Sequence, residues 1–172
     1  MSDTTDAVTE LAAKQAITEV VHRYCRGLDR MDRELADTVW HPGGTADYGP
    51  GYRGSGAGFL DYVWEFHARF HCHSHMVTNT LIEVDLASAT AGSETYVAVW
   101  LRSVTEETVT DQFHRGRYVD RWSCRGGVWA IDHRIYVGDI RHETRHTATP
   151  VDDISALTGK RDRSDLSYQV LG

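Results

Sequence analysis

His71-Cys72-His73-Ser74-His75-Met76-Val77-Thr78-Asn79 is where the hydrophobic pattern of this chain changes period. Before it, apolar residues recur every three or four positions, the spacing of a helix face. After it they alternate, as on a strand, and tight turns separate the runs. The stretch therefore closes a helix and opens a strand. Helices first and consecutive strands after them predict an α+β domain, with N-terminal helices against a curved, mostly antiparallel sheet. With the strand beginning near Ser74, one face is expected to carry His75, Val77, Asn79 and Leu81. A histidine sharing a face with Val and Leu is placed to line a cavity.

Upstream, residues 57–70 read as a third helix whose apolar set is Phe59, Leu60, Val63, Trp64 and Phe66. Residues 33–40, with Leu35, Val39 and Trp40, read as a short second helix capped by Asp32. His41-Pro42-Gly43-Gly44 is expected to break it, before a short strand at residues 45–48 and the glycine-rich loop Gly49–Gly54. From about Thr9 a long first helix carries Ile17, Val20, Val21, Tyr24 and Leu28, with Gly27 weakening it late. Val21, Cys25 and Asp29 form one i, i+4, i+8 row of that helix. A carboxylate ending an apolar row is costly unless it is paired or lies at a cavity. Asp29 is thus a candidate to orient His75, or else a helix-end acid meeting water, Arg26 or Arg33.

Downstream, strands are expected at residues 76–86, 94–104, 108–124 and 128–137, joined by hairpin turns at Ala87–Gly92 and Arg125–Gly127. In the last strand Trp129, Ile131, His133 and Ile135 alternate with Ala130, Asp132, Arg134 and Tyr136, so Arg134 faces either solvent or a polar cavity. Arg117 is equally open between anion clamp and surface ion pair. Residues 1–140 are expected to form the domain and residues 141–172 a polar extension of it, packed on its surface or on a neighbouring subunit.

The 172 residues, 41% hydrophobic and 25% charged, are enough for one domain with its own core. A net charge of -7 argues against nucleic acid or an anionic membrane as partner. No run approaches the ~20 apolar residues of a membrane span. Met1–Thr9 lacks an apolar signal core, and three cysteines without CxxC spacing fit a reducing compartment, so a cytoplasmic location is expected. No nucleophile elbow, P-loop or dinucleotide fingerprint is present. Cys25 and Cys72 are expected in apolar surroundings that keep the thiol inert. His67, His71, His73 and His75 raise the question of a metal, but no HExxH accompanies them, and a helix-to-strand change would splay the rings. No metal is expected, and His67, His71 and His73 are read as partly exposed residues around a helix end.

Short motifs carry a resemblance: Ala16-Ile-x-x-Val20, Tyr24 with Gly27-Leu-Asp29, His75-x-x-Thr-Asn79, Gly116-Arg-Tyr-x-Asp-Arg-Trp122 and Gly127-Val-Trp-x-Ile131. With the order of elements, they resemble the SnoaL-like branch of the nuclear transport factor 2-like superfamily, an α+β cone, over residues 11–138. That resemblance implies an Asp–His dyad at Asp29 and His75. It places a polar partner at Tyr24, an aromatic at Tyr48 and a late-strand arginine at Arg134. Trp40, Asn79 and Arg117 are the further expected substrate contacts. Members of the branch include dehydratases and a dehydrochlorinase, work without cofactor or metal, and are often trimers. The expectation is a cofactor-free lyase eliminating water from a hydroxylated apolar ring substrate, such as a steroid or polyketide. The alternatives are a ketosteroid-type isomerase at the same site, or a non-catalytic ligand-binding accessory protein.

Overall fold

The computed structural model describes residues 2–147 and 158–171. Its elements are α1 (Ser2–Asp29), α2 (Arg33–Asp37), β1 (Trp40–Asp47), β2 (Arg53–Ser55) and α3 (Gly56–His67). There follow β3 (Cys72–Asp85), β4 (Thr90–Val104), β5 (Thr108–Arg125), β6 (Val128–Thr147) and α4 (Tyr168–Leu171). The sheet has six strands in the order β2-β1-β6-β5-β4-β3. Every neighbouring pair is antiparallel except β1 with β6. The sheet does not close on itself; it curves over the helices as an α+β cone. Tyr24 and Leu28 of α1, Phe59 and Leu60 of α3, and Val97, Tyr118, Trp122 and Ile131 of the sheet meet in one core.

The end of α1 fixes the position of Asp29. Met31 takes a φ of 50°, while Asp32 N–H donates to Gly27 O at 2.8 Å and Met31 N–H to Leu28 O at 3.0 Å. These are the paired bonds of a Schellman stop, which satisfy carbonyls that the helix leaves open. Asp32 then accepts from Leu35 N–H and caps α2, as its position predicts. Gly27 lets α2 approach closely: a Cβ there would stand 3.0 Å from the Ala36 nitrogen, so the two helices would have to part slightly.

Several boundaries differ from the sequence reading. α1 begins at Ser2 rather than near Thr9, and α2 ends at Asp37, where Thr38 N–H and Oγ1 close on Leu35 O. Trp40 consequently opens β1 instead of ending a helix, and an irregularity between Trp40 and Thr45 absorbs Pro42, Gly43 and Gly44. α3 stops at His67, short of Phe70, and β3 starts at Cys72. The turn between β5 and β6 is only Gly126-Gly127, at φ values of 60° and 83°, the left-handed pair that a two-residue hairpin needs.

The polar residues 141–147, read as extension, continue β6 in register with β5, as far as Thr147 opposite Thr108. Residues 148–157 of the expected extension lie outside the described residues. From 158 onward the chain packs back on the helices of the same molecule. Arg161 donates to His67 O and Phe70 O past the end of α3, and Tyr168 Oη donates to Asp32 at 2.7 Å.

Candidate active site

Asp29 and His75, 46 positions apart in sequence, are in direct contact. Asp29 Oδ1 accepts from His75 Nδ1 at 2.6 Å, and Oδ2 accepts from the His75 backbone N–H at 2.9 Å. The carboxylate therefore grips both the ring and the strand that carries it. With Nδ1–H committed to the carboxylate, the neutral ring bears its free lone pair on Nε2. His75 lines a cavity of about 500 Å³ whose other walls come from α1, α3 and the inner face of the sheet.

That cavity is aromatic and nearly dry of charge at its deep end. Tyr24 and Tyr48 hold their hydroxyls 3.0 Å apart. Tyr48 stacks on Phe59, with 4.0 Å between ring centroids, and on Tyr136 at 5.4 Å. Burial raises the Tyr24 phenol above its ordinary range, and the Arg134 charge partly opposes that. Both tyrosines are thus neutral hydrogen-bond donors or acceptors in ordinary conditions.

Arg134 itself does not line the cavity. It is fully buried behind the tyrosines, its guanidinium 4.0 Å from the Tyr118 ring centroid and 4.4 Å from that of Tyr24. Its Nε and Nη2 make two bonds to Asp120, at 2.8 and 2.7 Å. A register shift in β6 between Ile131 and His133 explains how an arginine comes to face inward. One extra residue reverses the faces of a strand, so Ile131 and Arg134 both point in and Ile135 is left 38% exposed.

A second shift, between Val77 and Thr80 of β3, moves another expected contact. Before it His73, His75 and Val77 face inward; after it Ile82 and Val84 do. Leu81 is left 67% exposed, and Asn79, expected to contact substrate, is exposed and away from the cavity. Trp40 is buried against Gly56 in the core. Arg117 pairs with Glu94 at 2.8 Å and Asp139 at 3.5 Å, and neither Trp40 nor Arg117 lines the cavity.

The histidines read as partly exposed divide. His71 is exposed, but His67 and His73 are buried, with ring centroids 4.1 Å apart. Nε2 of His73 donates to Leu28 O at 2.8 Å, a second bond to the carbonyl that already accepts from Met31 N–H. Burial lowers His73 to about 4 and pushes His67 lower still, with the neighbouring imidazoles adding to both shifts. His67 lines the cavity 5.6 Å from the His75 ring, and its buried Nδ1 has no hydrogen-bond partner. No group of three or more His, Cys, Asp or Glu among the described residues is arranged to hold a metal ion. Cys25 is buried, its thiol pushed up to about 12 by burial and then by Asp29, whereas Cys72 is exposed rather than in apolar surroundings.

His114, Tyr118, Tyr136 and Arg141 also line the cavity and were not named as site residues by sequence, while His67, read as a partly exposed helix-end residue, lines it too. Alternation was the available signal for two of them: His114, Gly116, Tyr118, Asp120 and Trp122 share the inner face of β5. None of the helices among the described residues is long and apolar enough to cross a membrane.

Solved structures with this architecture include a hexachlorocyclohexane dehydrochlorinase (LinA type 3) from Novosphingobium barchaimii. It has 16% identity and a TM-score of 0.69 over 86% of this chain and 98% of that one. A protein provisionally named a scytalone dehydratase, from Novosphingobium aromaticivorans, has 21% identity and a TM-score of 0.70 over 89% and 99%. The beta subunit of a provisionally named aromatic-ring-hydroxylating dioxygenase from the same organism has 18% identity and a TM-score of 0.58 over 77% and 92%. At these identities the likeness is one of fold. No curated protein sequence matches the chain. The SnoaL-like domain model matches residues 9–135, from the body of α1 to just beyond Arg134, and the chain belongs to that family.

Proposed function

We propose that the protein is a cofactor-free lyase that eliminates water from a hydroxylated, largely apolar ring substrate of the steroid or polyketide kind. The observation that carries this reading is the Asp29–His75 pair at the wall of an aromatic cavity. His75 Nε2 takes the proton from a carbon made acidic by a neighbouring carbonyl or ring, and Asp29 stabilises the imidazolium as it forms. Tyr24 and Tyr48 hydrogen-bond the carbonyl or the departing hydroxyl. Arg134, behind them and paired with Asp120, lies with its guanidinium over the Tyr24 ring and so favours negative charge that develops at that hydroxyl. A cavity lined by His75 favours this over a non-catalytic accessory role.

His67 is assigned the complementary task. Its buried Nδ1 meets no acceptor, and a buried N–H without an acceptor is costly. The hydrogen is therefore placed on Nε2, where it can donate into the cavity. The ring is held neutral, so it polarises oxygen without giving up a full proton, and His75 beside it accepts one. The decisive experiment incubates the purified protein with a panel of hydroxysteroids and hydroxylated polyketides. A product lighter by one water supports elimination, a product of unchanged mass supports the isomerase, and no conversion across the panel removes the steroid and polyketide assignment. The family resemblance also underlies a proposed homotrimer, for which sedimentation equilibrium should return three times the 19.4 kDa chain mass.

A further inference from the structure

One row of the sheet crosses the whole cavity. His75 on β3 pairs with Val99 on β4, Val99 with His114 on β5, and His114 with Arg141 on β6. All four residues line the cavity, so the row runs from the candidate base at one end to a guanidinium at the other. Three interstrand spacings make the backbone separation about 14 Å measured along the sheet.

Arg141 differs from the other arginines near the site. Arg134 is consumed by Asp120, and Arg117 by Glu94 and Asp139. Arg141 is exposed and makes no side-chain hydrogen bond or ion pair among the described residues. Asp139, the carboxylate beside it on the cavity rim, reaches Arg117 at 3.5 Å rather than forming an ion pair with Arg141, and shares that guanidinium with Glu94. His114, its cross-strand neighbour, has a buried Nε2 without a partner, and burial followed by the Arg141 charge disfavours protonation of its ring. The rim thus carries one unpaired cation next to an unsatisfied imidazole, while the space between rim and base is lined by Tyr, Phe, Val and Leu side chains.

We propose that Arg141, with His114, forms a carboxylate-binding end of the cavity, and that the substrate is a multi-ring acid. Its carboxylate sits at the rim and its reacting carbon about two to three rings away at His75. A guanidinium presents paired N–H donors in the plane of a carboxylate. Only the placement of the reacting carbon rests on the elimination reading; the subsite itself is a statement about binding.

The test uses 1-pyrenecarboxylate and the uncharged 1-pyrenemethanol, with binding followed by pyrene fluorescence in wild type, Arg141→Gln and Arg141→Lys. Wild type should bind the carboxylate at least about tenfold more tightly than the alcohol, as a charge-assisted hydrogen bond supplies. Arg141→Gln should bring the ratio near one without changing affinity for the alcohol, and Arg141→Lys should restore part of it. Equal affinities in wild type, a ratio indifferent to Arg141→Gln, or no binding of either probe overturns the proposal. The wild-type ratio, read beside wild-type turnover on the hydroxysteroid and polyketide panel, separates the two readings. Preference retained without turnover on any substrate leaves the subsite standing and removes the lyase. Turnover of uncharged substrates with no carboxylate preference does the reverse.

Discussion

Asp29 makes two contacts with His75, one to the ring and one to the backbone, and the second makes the effect of Asp29→Asn predictable. An amide has one acceptor and one donor end. With its oxygen on the His75 backbone N–H, its NH₂ faces Nδ1, which must then accept; the ring proton moves to Nε2 and the base loses its lone pair. Asp29→Asn should fold with an unchanged circular dichroism spectrum yet lose about 10²–10⁴-fold in kcat. His75→Ala should lose at least as much, and the double variant little more than the worse single one, since residues acting as one unit are non-additive. Losses that multiply in the double variant would mean that the two act independently. For His67 the comparison is between His67→Gln, which keeps an N–H donor, and His67→Leu, which does not. Gln should retain much of the kcat and Leu should lose it; equal retention in both would reduce His67 to packing.

The elements themselves were largely legible, because three- and four-residue spacing and alternation survive in any sequence with one buried face. The row Val21–Cys25–Asp29 and the strand face of His75 made each residue a candidate, and the family resemblance paired the two. What escaped were the shifts. One extra residue in β3 after Val77 and one in β6 after Ile131 each reverse which side chains face inward, and neither leaves a glycine or proline as a marker. Asn79 was therefore placed in the cavity when it faces out, and Arg134 could not be assigned a side. Its actual place, buried and doubly bonded to Asp120, makes a prediction about the β5–β6 pair. Arg134→Met leaves Asp120 as a lone charge in the core and should cost about 3–5 kcal/mol, measured by urea denaturation. Adding Asp120→Leu removes the stranded charge and should return most of that loss. A double variant no more stable than Arg134→Met would show that the stacking of Arg134 on Tyr24 and Tyr118, not its charge, is what the fold needs.

At the scale of the whole molecule, the helices and the sheet are joined behind the dyad by a pair of buried neutral imidazoles, and this ties folding to pH. In the unfolded chain His67 and His73 titrate near 6.5. In the fold His73 is lowered to about 4, first by burial, and His67 is lowered further by burial and by the neighbouring His75 and His73. Between pH 6.5 and about 4 the unfolded chain therefore binds more protons than the native one, so stability rises with pH across that window. The contribution is complete above the unfolded value and is lost as pH falls toward the folded one. For His73 alone the span is worth on the order of 3 kcal/mol. The hydrogen-bonded carboxylates Asp32 and Asp111 have lowered values and release their stabilisation only in more acidic solution, so they do not mask the effect between pH 7 and 5. Urea midpoints should accordingly fall from pH 7 to pH 5. His73→Gln can keep an N–H for Leu28 O while removing a titrating group, and should flatten that dependence at some cost in stability at pH 7. A wild-type midpoint constant over this range, or a His73→Gln variant with the full wild-type slope, would mean that His73 is not held buried and neutral between α1 and α3.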